Sequence, residues 1–306
     1  MAEAATQLRS AAPALLLRGV GRRFGGLYAV DGVDLDIAQG ERRAILGLNG
    51  AGKTTLFNVI SGDLPPTSGT VELFGQDVTH VPARKRAKLG LARTYQQARM
   101  LLGINVEDSI YLSIVGVGHG HLRPVILPGR DRAIRGRARD AARRVAIDHK
   151  LAEPVGSLSH GEHRQVAIAM ALASEPRMLM LDEPASGLSR GERQLLTDLL
   201  LELDRDITLI LIEHDMDIAL RVAEQVTMMH EGEVIHNPRR NTTADLAANL
   251  ARAGATKEAA MLSGGRGDTN VSASLNVANV SSQVDMERTL ERFARLMARA
   301  AGANTR

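Results

Sequence analysis

Apolar positions follow two rhythms along the chain. From Leu15 to Ile37, short apolar runs alternate with turns: Leu15-Leu16-Leu17, Tyr28-Ala29-Val30, then Val33-Asp34-Leu35-Asp36-Ile37. Alternation with a period of two sends side chains to opposite faces, so this stretch predicts antiparallel strands with one wet face. Ala44-Ile45-Leu46 is unbroken and reads as a buried strand, with a helix starting over Leu56 to Ile60. Leu64-Pro65-Pro66-Thr67-Ser68-Gly69 is a turn, and Val71 to Phe74 a further strand ended by Gly75-Gln76-Asp77. From Val166 the spacing predicts a helix through Ala173, a buried strand Met178 to Leu181 and a helix Arg190 to Leu203. A strand Ile207 to Ile212, a helix Met216 to Ala223 and strands Val226–Met229 and Val234–Ile235 follow. Strands alternating with helices of this length argue for an α/β fold with a mostly parallel sheet covered on both faces.

Two regions break that alternation. Residues 98–157 have helical spacing, scattered Gly and Pro, and seven arginines between Arg130 and Arg144. One reading is a nucleic-acid surface. The favoured one is the solvated face of a helix that turns Ala133, Ile134, Ala138, Ala141, Ala142 and Val145 inward, because no aromatic residues interleave for base stacking. Beyond Asn237, Ala244 to Met261 is helix-prone, and Ser263 to Ser282 has the Gly, Ser and Asn content of a linker. Val284 to Ala300 reads as an amphipathic helix with Met286, Leu290, Phe293, Leu296, Met297 and Ala300 on one stripe. Such a stripe packs on its own protein or a second copy; its basic far face keeps a membrane-surface role open.

Composition narrows the class only slightly. Aromatics make up 2% of 306 residues and Trp is absent, so aliphatic side chains must build the core. The absence of Cys excludes disulfides and thiolate metal sites and is consistent with a reducing compartment. Met1 to Leu17 has no apolar core behind a basic start, so no secretion signal is expected. No run approaches the ~18 apolar residues that span a bilayer.

The chemistry concentrates in a few short motifs. Gly47-Leu48-Asn49-Gly50-Ala51-Gly52-Lys53-Thr54-Thr55 fits the spacing of a phosphate-binding loop, and it lies between a predicted strand and a predicted helix. Glycines let successive backbone N–H groups turn toward an anion, and the helix N-terminus adds unpaired donors and partial positive charge. Lys53 can then reach β- and γ-phosphates, and the Thr54 hydroxyl can hold Mg²⁺. Asp182 and Glu183 end the apolar strand Met178 to Leu181. Asp182 suits support of Mg²⁺, and Glu183 can polarise a water, although a plain helix-capping acid pair has the same sequence form. Ser159 and Glu162 have capping-box spacing; a helix start with a hydroxyl and Gly161 is also an anion site.

Taken in order, these segments resemble the nucleotide-binding subunit of an ABC transporter, over roughly Leu15 to Ile235. Gly47 to Thr55 is similar to its Walker A motif, and Gln96, in Arg93-Thr94-Tyr95-Gln96-Gln97, to its Q-loop glutamine. Leu158 to Glu162 resembles the signature motif, Asp182 and Glu183 the Walker B aspartate and catalytic glutamate, and His214 the switch histidine. Phe24, before Gly25-Gly26, stands where the family stacks an aromatic ring on adenine; Tyr28 is the other candidate.

The resemblance implies a RecA-like phosphate-loop ATPase core with an antiparallel β subdomain, an inserted helical subdomain and, here, a helical C-terminal tail. It divides the chain into 14–97 and 161–236 as core, 98–160 as the helical subdomain ending in the signature, and 237–306 as an extension. It implies ATP bound by Gly47, Asn49, Gly50, Ala51, Gly52, Lys53, Thr54, Thr55 and Phe24 of one copy and by Ser159 and Gly161 of the other. Mg²⁺ would be held by Thr54, Gln96 and Asp182, with catalysis by Glu183, His214 and Gln96. Two copies, or this chain and a paralogue, would close on ATP and drive separate permease subunits from the cytoplasmic face of the cell membrane. A solute-binding protein would be an indirect partner, and nucleic acid none.

Phe24-Gly25-Gly26-Leu27, Arg93-Thr94-Tyr95-Gln96 and Glu213-His214-Asp215-Met216 resemble the branched-chain amino-acid importers, a group that includes urea and short-amide importers. A non-transport ABC ATPase is one alternative; a module that binds ATP but hardly turns over is another, against which Glu183 and His214 argue. Three positions depart from the family pattern: His160 replaces a glycine, Glu162 a common glutamine, and Ser189 the usual aspartate of the segment Ser186-Gly187-Leu188-Ser189.

Overall fold

A computed structural model describes residues 12–95, 100–118, 128–213 and 215–236. In chain order the strands are β1 (Leu15–Phe24), β2 (Leu27–Ile37), β3 (Arg42–Leu46), β4 (Ser68–Leu73), β5 (Gln76–Asp77), β6 (Leu91–Arg93), β7 (Met178–Asp182), β8 (Thr208–Ile212), β9 (Gln225–His230) and β10 (Glu233–His236). The helices are α1 (Lys53–Ser61), α2 (Ala83–Lys88), α3 (Val106–Gly118), α4 (Pro128–Arg144), α5 (His160–Leu172), α6 (Arg190–Glu202) and α7 (Met216–Val222). Two compact units result, one from residues up to His80 and from Ile210 onward, the other Val81–Leu209. The amphipathic segment anticipated over Val284 to Ala300 and the tail 237–306 lie outside the described residues.

The first unit holds an antiparallel sheet in the order β2-β1-β4-β5 and, separately, β3 and β9 running parallel, with β10 antiparallel to β9. The three short apolar runs near the start are in fact two long strands. β1 continues to Phe24 because Gly19, at φ +56°, lets the chain shift register between Leu17 and Val20 without leaving the ladder. Val33, Leu35 and Ile37 are buried while Asp34 and Asp36 between them are half-buried, so the alternation does mark one inward face.

β3 is buried along its whole length, including both arginines. Arg43 is tolerated because its guanidinium is satisfied on several sides. Nε donates to Glu41 Oε1 at 2.6 Å, Nη1 to Thr227 Oγ1 at 2.8 Å and Nη2 to the Asp36 carbonyl at 3.3 Å. The Thr227 bond ties β3 to β9, and the Glu41 carboxylate also accepts from the Ala38 amide at 3.0 Å.

In the second unit β6 and β7 pair in parallel, Leu91 beside Met178 and Arg93 beside Met180. α3, α4 and α5 pack on one another. Ala138, Ala141, Ala142 and Val145 of the arginine-rich segment are buried, as expected for an inward stripe, but Ala133 is exposed and Ile134 only half-buried. Charge organises that first part of α4 instead: Arg135 lies over the Tyr111 ring at 4.9 Å and reaches Asp108 at 2.9 Å and Asp131 at 3.3 Å. Arg139 meets Glu107 at 2.9 Å and Arg137 meets Glu175 at 3.0 Å. Much of the helix's basic charge is therefore met by acids of its own unit.

Truncating one partner of a buried ion pair strands the other, at about 3–5 kcal/mol. Glu41→Ala is accordingly expected to lower the unfolding free energy by about that amount, read from the urea midpoint at unchanged m-value.

Candidate functional site

The candidate residues occur in both units. In the first, strand β3 delivers the chain into the glycine loop and α1 receives it. Gly47 has φ +157° and Gly52 φ +96°, and both lie where no side chain fits. A Cβ on Gly47 would meet the Met229 carbonyl oxygen at 2.4 Å, and one on Gly52 the Ala29 carbonyl oxygen at 2.2 Å. Both obstacles are backbone, so neither can swing aside. The loop is also clamped by the turn joining β9 to β10: Gly232 N–H donates to the Ala51 carbonyl at 3.1 Å, and Asp31 N–H to the Gly232 carbonyl at 2.9 Å. That clamp comes from a segment nearly two hundred residues downstream and was not read from the sequence.

Lys53 opens α1 and is buried, with its ammonium donating to the Gly47 carbonyl at 2.6 Å and the Leu48 carbonyl at 2.9 Å. The cation thus folds back across its own loop. Asn49, Gly50 and Thr54 are exposed, Thr55 is half-buried and Ala51 is buried. Gly50, at φ +85°, has open space on its Cβ side. A loop of this form, with cramped glycines at its ends and a cation across it, fits a polyphosphate. The Thr54 hydroxyl together with phosphate oxygens and a carboxylate is the oxygen set Mg²⁺ takes, since that ion keeps several waters and needs few protein ligands.

Phe24 and Leu27 face each other across the two-residue Gly25-Gly26 turn, and Gly25 adopts φ +59°. The Phe24 ring is 45% exposed with Arg22 stacked 4.7 Å from its centre, and Tyr28, 51% exposed, carries Arg23 at 5.7 Å. Both rings are available at the surface. His214 lies outside the described residues; its neighbour Asp215 caps α7 by accepting from Asp217 and Ile218 amides at 3.1 and 3.4 Å.

In the second unit Asp182 ends the fully buried strand β7. Arg93, at the end of the parallel neighbour β6, donates from Nη2 to Asp182 Oδ2 at 3.1 Å with both side chains nearly inaccessible. Glu183 follows at φ +47°, a left-handed conformation that costs a non-glycine residue of order 1–3 kcal/mol and is found at sites where a side chain must be aimed. Its carbonyl accepts from the Ser186 amide at 3.1 Å and from Arg164 Nη2 at 3.3 Å, while Arg164 Nη1 reaches the Tyr95 carbonyl at 3.4 Å. One arginine of α5 therefore fixes the backbone on either side of the Asp182 strand end. Gln96, next after Tyr95, lies outside the described residues.

α5 begins with a complete capping box. Ser159 Oγ accepts from the Glu162 amide at 3.2 Å, and Glu162 Oε2 accepts from the Ser159 amide at 2.7 Å. The Ser159 amide bond, aided by Lys150 3.2 Å from Glu162, holds the Glu162 carboxyl below the ordinary range despite partial burial. α6 repeats the device, with Ser189 capped by Glu192. Ser189 therefore does more than replace an aspartate, and the Ser-x-x-Glu spacing that signals this was present in the sequence. His160 is exposed and lies beside Gly187, where a Cβ would sit 3.2 Å from its Nε2.

The family model described as ABC transporter matches residues 30–186. The high-affinity branched-chain amino acid transport ATP-binding protein BraF of Pseudomonas aeruginosa is 34% identical over 233 residues, 72% of this chain and 89% of that protein. LivG of Escherichia coli K12, with the same description, is 32% identical over 233 residues, 74% of this chain and 91% of its own. Among solved structures, MJ1267, an ATP-binding cassette of an ABC transporter, superposes with a TM-score of 0.66 at 28% identity, covering 73% of this chain and 90% of that one.

Glu162's carboxyl is depressed in the folded state, so the unfolded chain takes up the proton first as pH falls. Its stabilisation is present above the ordinary value of 4.5 and is lost as pH drops through the lower folded value. Glu162→Gln is expected to flatten the loss of stability below about pH 4.5 relative to the parent chain, measured by urea titration between pH 6 and 3.

Proposed function

Given that this chain belongs to the ABC transporter family and is one of its ATPases, we propose that it is the energy subunit of an importer for branched-chain amino acids. The observation that carries the reading is Lys53, buried across a glycine loop whose ends admit no Cβ. The solute rests on BraF and LivG, whose descriptions name that transport. Urea and short amides, which the related importers carry, are the neighbouring reading within the same proposal.

In this reading the loop amides from Gly47 to Thr55 bind the triphosphate, Lys53 leaves its carbonyl partners for the β- and γ-oxygens, and Phe24 covers the adenine. Thr54, Gln96 and Asp182 would hold Mg²⁺, which would supply charge neutralisation at the phosphates. Arg93 would hold the Asp182 carboxylate in place for that role. Glu183 orients the attacking water, with its aim fixed by the Arg164 bond to its own carbonyl. His214 senses the γ-phosphate. Ser159 and Gly161 of a second subunit, identical or paralogous, complete the pocket, so ATP joins two copies and its hydrolysis releases them. The γ-phosphate is the source of differential affinity that any such switch needs.

No described helix is long and apolar enough to cross a membrane, so transport in this scheme requires separate permease subunits, with this chain held peripherally at the cytoplasmic face. A solute-binding protein would act on the permease and not on this chain. The functional division proposed is core at 14–97 and 161–236, helical subdomain at 98–160, and an extension at 237–306 with a regulatory or dimer-supporting role.

Lys53→Ala is expected to abolish ATP binding in equilibrium dialysis, and affinity equal to that of the parent chain would overturn the loop assignment. Glu183→Gln is expected to accumulate an ATP-bound dimer on sedimentation, with turnover reduced at least a hundredfold, the usual scale for loss of a catalytic base.

A further inference from the structure

The two capping boxes of the second unit meet at a single carboxylate. Glu192 Oε2 accepts from the Ser189 amide at 2.8 Å, which closes the box of α6. Its other oxygen lies over the first turn of α5. A Cβ placed on Gly161 would fall 2.3 Å from Glu192 Oε1 and 2.8 Å from Glu192 Cδ. Gly161 is buried, although Ser159 and His160 just before it are exposed. The side chain that covers it is therefore an acid from another helix. The Ser189 hydroxyl and amide hold the Glu192 carboxyl below the ordinary range, with the Gly161 backbone and His160 adding to the effect.

We propose that Glu192 is a built-in competitor for the triphosphate: its carboxylate covers Gly161 in the open subunit and must swing away before a partner's ATP can dock on the Ser159–Gly161 turn. The proposal rests on the two-subunit reading given above. A helix N-terminus offers a small number of unpaired N–H groups, and a carboxylate lying against Gly161 stands where a phosphate would approach them. Both anions on one turn would also repel. The contact sets a threshold: nucleotide must displace an internal anion, so the sandwich closes at higher ATP than it otherwise would. Ser189 takes part, because it anchors the other oxygen of the same carboxylate and so decides where Glu192 rests. Glycine at position 161 is then required by Glu192 in the open state as well as by nucleotide in the closed one.

The test uses the full chain carrying Glu183→Gln, with the dimer fraction followed by sedimentation as ATP is raised. Adding Glu192→Gln removes the charge but leaves a side chain that still completes a capping box, so the fold is kept. The ATP concentration at half-dimer is expected to fall about two- to fivefold, the range for one charge at a helix terminus. Asp198→Asn, which removes an exposed acid further along α6, is expected to leave that concentration unchanged. An unchanged or raised midpoint with Glu192→Gln would mean that the glutamate braces the turn and does not compete for it, and would overturn the proposal. Equal shifts from both substitutions would overturn it too, since long-range charge would then suffice. If Glu183→Gln formed no dimer at any ATP concentration, the two-subunit reading would fall and this proposal with it.

Discussion

The main constraint on the first unit is a matter of closeness. The glycine loop runs so near to the Met229 and Ala29 carbonyls that a single added carbon at Gly47 or Gly52 would lie well inside van der Waals contact. That proximity fixes the path of the loop's backbone. It requires β9 and β2 at fixed positions, and they are held there by buried polar chemistry: Arg43 on β3 bonds Thr227 on β9 and the Asp36 carbonyl on β2. Glu41 neutralises the guanidinium, without which its burial would be prohibitive. The buried cation–carboxylate pair and the glycine loop therefore depend on the same strands.

The second unit relies on arginine and glutamate in a different way. Arg93 and Arg164 converge on the end of β7 from two directions, one on the Asp182 side chain and the other on the Glu183 backbone. The first holds a carboxylate side chain, and the second holds a backbone carbonyl at the left-handed turn. Around the starts of α5 and α6, paired Ser and Glu residues satisfy amides that would otherwise be open to anions. In this unit the capping chemistry and the candidate chemistry use the same N–H groups.

Much of this was legible because it is local. The phosphate-loop spacing, the apolar strand before Asp182 and the Ser159 box each lie within a dozen residues, where periodicity and capping rules operate. The long course of β1 was hidden because Gly19 reads as a turn residue, whereas here it serves a register shift within a ladder. Ala133 was misplaced because helical spacing predicts a face but not where along the helix packing begins, and Arg135 with its acids replaces apolar contact there. The Gly232 clamp and the contact of Glu192 with Gly161 join residues far apart in sequence, so no local pattern announces them. Gln96 and His214 rest on motif resemblance alone.

The exposed ring at the tip of the β1–β2 hairpin has a practical consequence. With no tryptophan in the chain, the protein is spectroscopically quiet where indole emits. A single indole placed at Phe24, beside Arg22 and open to solvent, would be the sole emitter in its window. If that ring covers adenine as proposed, its quenching would follow nucleotide arrival in real time, without labelling chemistry.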